Sequence, residues 1–349
     1  MTFLQVFIVS LVLMGGIFAL MMLFVRSGTR RNTRVGAAGK KPLGFWGGVL
    51  FVLRLVGFGV IAFALVSLAI MVYLSLDTIK TDMATSPKEV AIPDDLPFDV
   101  QEVSFMSEDG LRLAGWYVPP ENGGIVILLH GYGSTRLMMR WHAERLVEAS
   151  YGVLMYDERA SGESEGDHRS YGWEDSRDVG GALFFLSDKP EVDPDKIGIA
   201  GCSIGGQIAL QSAAYYPQIG AVWTEGASMM RAQDIPRPTN FISGLIVVSN
   251  YILDQMFAAR LGIKAPPPMI EIIDEIAPRP IMLVGSAISV PYLGSEADHL
   301  KLYAQRAGEN AELWILTDAG HCGGPGTRPE EYAARMVEFF DTAFDIERR

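Results

Sequence analysis

Residues 201–205 read G-C-S-I-G and lie where an apolar strand pattern passes into a helical pattern. A serine on such a sharp strand-to-helix turn needs small residues two positions away on each side, because larger side chains would clash with the folded-back chain. At the start of the helix, the backbone amide of Ile204 and the helix dipole face any negative charge that develops beside Ser203. The pattern therefore predicts a nucleophilic serine next to an oxyanion site.

Two further segments supply the partners that a nucleophilic serine needs. The turn after the strand pattern Ile125–Leu129 reads H-G-Y-G and can direct the backbone amide of Tyr132 at the same oxyanion. The strand pattern Leu313–Leu316 is followed by His321, which a short loop can bring over the serine as general base. Among the other histidines, His299 next to Asp298 is the one real competitor, although it falls within a predicted helix. His130, His142 and His168 are weaker candidates.

From residue 100 onwards, short apolar runs alternate with helical patterns, which is typical of a doubly wound, mostly parallel sheet. A hairpin comes first, because Val100–Met106 and Leu111–Val118 flank an Asp-Gly turn. Six buried strands follow, at Ile125–Leu129, Val153–Tyr156, Ile197–Ala200, Ala221–Thr224, Ile281–Val284 and Leu313–Leu316. Helices are expected near Arg136–Ala149, Glu174–Ser187, Ile204–Tyr215, Glu296–Ala307 and Pro329–Ala343.

The stretch 228–280 does not fit this alternation, because about fifty residues are too many for a plain crossover between two strands. Within it, Phe241–Ala258 is predominantly apolar, and three consecutive prolines follow at 266–268. We interpret 228–280 as a helical cap inserted over the carboxyl edge of the sheet. Its apolar side chains predict a small-molecule or lipid-like acyl substrate, and they include Met229, Met230, Phe241, Met256 and Phe257.

The part from residue 100 to residue 349 resembles the α/β-hydrolases of the serine esterase, lipase and peptidase kind. The resemblance rests on four segments, which are residues 130–133, 156–164, 201–205 and 319–321. It implies Ser203 as nucleophile, His321 as base, and the backbone amides of Tyr132 and Ile204 as oxyanion donors. Asp157 matches a position that is usually structural in this family, and it precedes the serine, which is the wrong order for the acid.

The acid of the catalytic triad is where this sequence departs from the family. The family commonly places Asp shortly after the strand that matches Ile281–Val284, but residues 285–291 contain no carboxylate. We expect Glu296 to take this role, since Glu can orient and charge-balance the imidazole as Asp does. Asp298, Glu225 and Asp318 remain as alternatives.

The N-terminal part has the composition of a membrane anchor. Phe3–Val25 and Leu55–Leu76 contain no charged residue, and each is long enough to cross a bilayer core of about 30 Å. No basic residue precedes the first run, so it is not typical of a cleaved signal peptide. We predict two transmembrane helices at about 3–25 and 51–76, a basic loop at 26–41, a linker at 77–99 and a hydrolase domain at 100–349. The prolines of the linker indicate a semi-stiff stalk.

The charge distribution predicts the orientation of this anchor. Loop 26–41 holds six Lys and Arg residues, whereas residues 1–74 contain none of the 41 Asp and Glu residues of the chain. Basic short loops stay in the cytoplasm, so the hydrolase domain is expected on the exoplasmic face of the cell membrane. The strongly acidic domain repels phosphate backbones, which argues against nucleic-acid binding.

The two cysteines of the chain, Cys202 and Cys322, directly precede Ser203 and directly follow His321. An oxidising compartment would permit a disulfide between them, but we interpret both as small buried hydrophobic residues. The sequence contains no metal-binding motif and no phosphate-binding glycine loop, so neither a cofactor nor a metal is predicted.

These features predict a membrane-anchored serine hydrolase that cleaves carboxylic esters through an acyl-enzyme intermediate. A peptidase or a thioesterase with the same triad is one alternative. A non-catalytic, membrane-tethered binding module that kept the fold is another, which the missing carboxylate at the usual position favours. The intact serine, histidine and glycine turns argue against it.

Overall fold

The computed structural model describes residues 45–227, 231–288 and 295–347. The chain divides into two compact units, Met1–Thr78 and Ile79–Arg349. The predicted first span Phe3–Val25, the basic loop 26–41 and the cap residues Met229 and Met230 lie outside the described residues.

Helix α1, Phe45–Asp82, begins before and ends after the span predicted for 51–76. The segment Leu53–Ile70 of this helix has a mean hydropathy of 2.3 and is long and apolar enough to cross a membrane, judged by length and composition alone. The helix continues through Asp82 because the sequence has no glycine or proline between Leu76 and Pro87 that would end it earlier.

The predicted linker 77–99 is therefore not a free stalk, which corrects the prediction. Its first residues are helical, and the side chain of Met83 is buried in the core. Strand β1, Ser86–Pro87, then pairs in parallel with β6, Ser161–Gly162. The backbone groups of an extended segment need partners, and this segment finds them on the surface of the domain.

Within the described residues, eight strands form the central sheet in the order β10-β9-β8-β7-β4-β5-β3-β2. Their bounds are β2 Gln101–Met106, β3 Arg112–Val118, β4 Ile125–Leu129, β5 Gly152–Tyr156, β7 Ile197–Cys202, β8 Ala221–Glu225, β9 Ile281–Ser286 and β10 Ala311–Leu316. Strand β3 is antiparallel to both of its neighbours, and the other neighbouring strands are parallel. The predicted eight-stranded, mostly parallel sheet and its leading hairpin are confirmed.

Helices cover both faces of this sheet because successive strand residues point to opposite sides. In β4, Ile125 and Ile127 belong to one core cluster, whereas Val126 and Leu128 belong to the other. The first cluster includes side chains from α3 (Ser176–Ser187), α4 (Ile204–Tyr215) and α7 (Glu296–Ala307). The second includes side chains from α2 (Arg140–Glu148) and α9 (Pro329–Phe344). Burying an aliphatic side chain of this size stabilises the fold by about 1.5–3 kcal/mol.

The insertion between β8 and β9 carries helix α5, Phe241–Leu261, which extends three residues beyond the predicted Ala258. Asn240 caps the start of the helix, since its side chain accepts a hydrogen bond from the amide of Ser243. Gly262, with a φ of +68°, caps its end. Helix α5 is also long and apolar enough to cross a membrane, with a mean hydropathy of 1.4. After α5, α6 (Met269–Ile272) leads into β9, and α8 (Gly324–Thr327) later precedes α9.

Candidate active site

Ser203 occupies the turn between β7 and α4 with φ +58° and ψ −122°. A positive φ is uncommon for a residue with a Cβ, and such backbone strain persists only where the surrounding structure enforces it. Here the amide of Ser203 donates a hydrogen bond to the carbonyl of Glu225 at 2.8 Å, and its own carbonyl accepts one from the Gly206 amide at 3.0 Å. The turn therefore holds the serine at the carboxyl edge of the sheet.

The glycines on both sides of Ser203 are sterically required, as the sequence predicted. A Cβ on Gly201 would lie 2.3 Å from the carbonyl carbon and oxygen of Gly205. A Cβ on Gly205 would lie 2.5 Å from the carbonyl oxygen of Leu129. The same packing brings the turn after β4 against the serine, since a Cβ on Gly131 would lie 3.5 Å from the Cβ of Ser203.

The imidazole of His321 lies between Ser203 and Glu296. Its Nε2 is 2.8 Å from the Oγ of Ser203, and its Nδ1 is 2.6 Å from Oε1 of Glu296. The second carboxylate oxygen of Glu296 accepts a hydrogen bond from the amide of Ser286 at 2.9 Å. The structure thus brings together three of the predicted residues that lie far apart in the chain.

His321 and Glu296 each stabilise the charged form of the other, which shifts both pKa values. Burial opposes ionisation of Glu296, but the hydrogen bond from His321 and the amide of Ser286 lower its pKa below the usual value of 4.5. The hydrogen bond to Glu296 raises the pKa of His321 above its usual value of 6.5, although partial burial acts in the opposite direction. An imidazolium that forms at this position is therefore stabilised by the carboxylate.

The three other candidate acids make different contacts. Asp298 accepts hydrogen bonds from the amide and the hydroxyl of Ser295, at 3.0 and 2.9 Å, and so caps α7. Asp318 forms an ion pair with Arg328 on the surface. Glu225 accepts a hydrogen bond from the amide of Gly324 at 2.7 Å, and burial raises its pKa. Of the four, Glu296 makes the contact with Nδ1 of His321.

Several contacts hold the loop 317–323, which carries His321. On one side of the histidine, the hydroxyl of Ser286 donates to the carbonyl of Ala319 at 2.7 Å. On the other side, Glu225 binds the amide of Gly324, the first residue of α8. Glu225, one of the alternative acids, therefore contacts the segment that carries the base.

Cys202 and Cys322 form a disulfide, which corrects their interpretation as free buried side chains. Their Cα atoms are 6.0 Å apart, a usual separation for a disulfide. In the sequence one cysteine stands beside Ser203 and the other beside His321, but only the folding of loop 317–323 onto the strand-to-helix turn brings the two sulfurs together.

The two predicted oxyanion donors lie in two different elements. Ile204 is the first residue of α4, so its amide belongs to the positive end of that helix. Tyr132 lies in the turn closed by a hydrogen bond from the Ser134 amide to the Gly131 carbonyl at 3.2 Å. Between β4 and this turn, buried His130 contacts the Gly131 carbonyl through Nδ1, at 2.8 Å, and accepts the Glu158 amide at Nε2, at 3.0 Å.

The remaining candidates have structural contacts. Burial lowers the pKa of His142 to about 4, and Nδ1 of His299 contacts the carbonyl of Ser295. His168 contacts Glu174 at 3.1 Å. Asp157 is fully buried, where it accepts the amides of Arg136 and Glu163 at 2.7 and 2.9 Å and forms an ion pair with the Arg136 guanidinium. No group of three or more His, Cys, Asp or Glu side chains in the described ranges could hold a metal ion.

A row of aromatic side chains beside the site was not predicted from the sequence. The ring of Tyr132 meets Tyr171 at 5.7 Å, and Tyr171 stacks on Phe257 of α5 at 6.2 Å. Trp173 packs on the same phenylalanine at 5.7 Å, and the Arg169 guanidinium lies 4.2 Å over the Tyr132 ring. Residues 171–173 stand in a polar loop without periodicity, so the chain pattern gave no signal for this connection between α5 and the turn after β4.

A sequence profile of the alpha/beta hydrolase family matches residues 126–335, which is more than half of the chain. The chain belongs to this family. Its β4 turn, its Ser203 turn and its His321 loop all lie within the matched range. Membership of this family supports a hydrolase.

Individual relatives differ in how much of the chain they cover. The uncharacterised protein YfhR of Salmonella typhimurium is 26% identical over 263 residues, covering 71% of this chain and 83% of YfhR. Thiohydrolase aneE of Aspergillus aculeatus is 34% identical over 118 residues, covering 33% of this chain and 37% of aneE. Among solved structures, the Pyrococcus furiosus esterase Pf2001 has a TM-score of 0.60 at 24% identity, covering 75% of this chain and 98% of the esterase. At that identity the likeness shows the shared fold.

Proposed function

We propose that this protein is a membrane-anchored serine hydrolase that cleaves carboxylic esters with the triad Ser203, His321 and Glu296. The observation that carries the proposal is the position of His321, whose two ring nitrogens lie within hydrogen-bond distance of the hydroxyl and the carboxylate. Such a bridge is what a general base needs, because one nitrogen must accept the serine proton while the other is held by a negative charge.

In the first half of the reaction, Nε2 of His321 accepts the proton of Ser203 as the Oγ attacks the ester carbonyl carbon. Glu296 accepts the hydrogen bond from Nδ1 and stabilises the imidazolium. The imidazolium then gives its proton to the leaving alcohol. In the second half, His321 deprotonates a water molecule that attacks the acyl-enzyme, and the carboxylic acid leaves as Ser203 regains its proton.

The oxyanion of both tetrahedral intermediates would be bound by the backbone amides of Tyr132 and Ile204. Each such donor contributes about 2.7–4 kcal/mol to transition-state stabilisation in comparable sites. The positive end of α4 adds to the field at the same place. The aromatic row from Tyr132 to Phe257 supplies apolar surface for the acyl or alcohol part of a small-molecule or lipid-like ester.

A thioester is the second candidate substrate, and one comparison favours it. The matching segment of aneE, a protein named as a thiohydrolase, is 34% identical to this chain over 118 residues. A thioester passes through the same tetrahedral intermediate and the same acyl-enzyme, so the described side chains serve both substrates.

The membrane part of the proposal rests on α1, whose window Leu53–Ile70 combines sufficient length with high mean hydropathy. Apolar side chains such as Phe58 and Ile61 are about 60% exposed, and hydrocarbon would cover them. The Cys202–Cys322 disulfide supports an exoplasmic position of the hydrolase domain, because disulfides persist in oxidising compartments.

The catalytic proposal is tested by labelling the full-length protein in detergent with a fluorophosphonate, which modifies activated serines. We expect the wild type to be labelled and to hydrolyse p-nitrophenyl esters, and we expect Ser203→Ala to lose both properties. Ser187→Ala is the matched control, since that exposed hydroxyl only contacts a backbone carbonyl of its own helix. A wild-type protein that is folded but neither labelled nor active on esters, thioesters or peptide anilides would indicate the binding module instead.

The proposed orientation has its own test. Protease added to intact cells should degrade the hydrolase domain if it lies on the exoplasmic face. Protection in intact cells, combined with degradation after lysis, would place the domain in the cytoplasm and leave the catalytic proposal untouched.

A further inference from the structure

The disulfide joins the two sides of the proposed active site at the closest possible positions in the chain. Cys202 is the residue before Ser203, and Cys322 is the residue after His321, across a sequence separation of 120. The shortest covalent path between nucleophile and base therefore runs through one disulfide and two neighbouring residues.

The two ends of this link differ in rigidity. Cys202 is buried at 3% exposure as the last residue of β7, a strand that is buried along its whole length. Cys322 lies in a loop at φ +51°, and the neighbouring His321 side chain is 52% exposed. Exposed loops generally move more than buried strands, and the bond ties an exposed loop to a buried strand.

Apart from the contacts of the His321 side chain itself, two hydrogen bonds hold the flanks of this loop. The Ser286 hydroxyl binds the carbonyl of Ala319, and Glu225 binds the amide of Gly324. Both are single hydrogen bonds, each worth about 0.5–1.5 kcal/mol in typical proteins. The disulfide alone among the described contacts is covalent and adjacent to His321.

From this arrangement we infer that the Cys202–Cys322 disulfide is a positioning element, which keeps Nε2 of His321 within proton-transfer distance of Ser203. The inference rests on the proposed function, because it concerns the geometry of the same triad. A displacement of about 1 Å between reacting groups can lower a rate on the order of 100-fold. Loss of the bond should therefore lower kcat more than it changes KM.

The chemistry of the test is thiol–disulfide exchange. Dithiothreitol gives two electrons and two protons to the disulfide, the S–S bond breaks to two thiols, and the reagent closes to its own cyclic disulfide. Cys322 is the more accessible end of the bond, because this residue is partly exposed whereas Cys202 is almost fully buried.

The experiment measures ester hydrolysis by the full-length protein in detergent, before reduction, after reduction and after reoxidation. We expect kcat to fall on the order of 10- to 100-fold on reduction and to recover on reoxidation, with KM little changed. The acid limb of the pH profile of kcat/KM should also move to lower pH, because a displaced His321 loses part of the hydrogen bond to Glu296 that raises its pKa.

The double variant Cys202→Ala/Cys322→Ala supplies the matched control. It should show the lowered kcat without any reagent, and dithiothreitol should not change it further. Should this variant fail to fold, reversible reduction of the wild type, with circular dichroism to confirm that the fold persists, still decides the question.

Two results would overturn the inference. One is a reduced wild type that melts at a lower temperature but keeps its kcat, which makes the disulfide a structural staple only. The other is a double variant whose kcat still responds to dithiothreitol. Failure of the proposed function looks different, because the oxidised protein itself would then neither hydrolyse esters nor react with the fluorophosphonate.

Discussion

The two sides of the candidate site are built in different ways. Backbone packing fixes the conformation of Ser203. The residue lies between the buried strand β7 and the start of α4, and the turn packs tightly at the glycines 201 and 205. His321 and Glu296 come from two segments that are 25 residues apart, and side-chain contacts with neighbouring strands hold them.

Because of this difference, we expect the serine side to control mainly stability and the histidine side mainly activity. A defect on the serine side disturbs the contact of β7 with β4 and α4, so it costs stability first. A defect on the histidine side should leave the sheet intact and change the orientation of one ring, so it should lower the proposed activity first. Substitutions on the two sides should therefore separate stability from activity.

The largest effect is expected for Glu296→Gln. The amide keeps the shape but cannot balance an imidazolium or impose the same tautomer, and a comparable Asp→Asn change in a serine-protease triad costs on the order of 10⁴-fold in kcat. We expect a loss of on the order of 10³- to 10⁴-fold in ester hydrolysis, with unchanged folding by circular dichroism.

The pH profile sharpens this result. Because His321 must be neutral to act as base and Glu296 raises its pKa, the wild-type acid limb should lie above pH 6.5 and shift downwards in the variant. An activity within tenfold of the wild type would exclude Glu296 as the acid and direct attention to Glu225.

A second, structural effect is expected for Gly201→Ala. The added Cβ meets backbone atoms of Gly205, which cannot move without displacing α4. We expect the free energy of unfolding in urea to fall by about 3 kcal/mol, the upper part of the range for overpacking.

Gly244→Ala is the matched control, because this glycine lies inside α5 with open space around its Cβ position. Removing a helical glycine there should raise stability by up to about 1 kcal/mol. Equal destabilisation by both substitutions would contradict the steric account of the serine turn.

A smaller effect is expected for Glu225→Ala. The substitution leaves the amide of Gly324 without its acceptor, which costs about 1–3 kcal/mol of stability when the donor is buried. We also expect kcat to fall, because the contact with the segment after His321 is lost. This fall in kcat should be smaller than the fall in Glu296→Gln. Glu225→Gln keeps an acceptor oxygen and should restore most of both quantities. A Gln variant as inactive as Glu296→Gln would show that the carboxylate charge itself takes part in catalysis.

The smallest effect is expected for Asp298→Asn, two residues after Glu296 in the same helix. Its hydrogen bonds to Ser295 cap α7, and weakening such a cap costs at most about 1 kcal/mol. The melting temperature should fall slightly while kcat stays within twofold. A large loss of activity here would mean that the start of α7 must be held rigidly to place Glu296.

Much of the fold followed from local pattern. Continuous apolar runs predicted the parallel strands, and Asp-Gly predicted the hairpin, because the period of side-chain burial is set within a few residues. The linker 77–99 was predicted less well. Its prolines indicated a stalk, whereas Met83 and Ser86–Pro87 contact the domain, and such docking depends on a surface that the segment itself does not encode.

The sequence by itself determined the serine turn, since a strand, two glycines and a helix start are consecutive in the chain. It also offered His321 and a short set of carboxylates. Only the tertiary structure decided that Glu296 meets the imidazole, that Glu225 contacts the loop instead, and that the two cysteines pair. The physical reason is the distance along the chain over which each interaction acts. The steric requirements of a turn involve residues that are neighbours in the sequence. Hydrogen bonds and disulfides instead join residues that only folding brings within a few ångströms of each other.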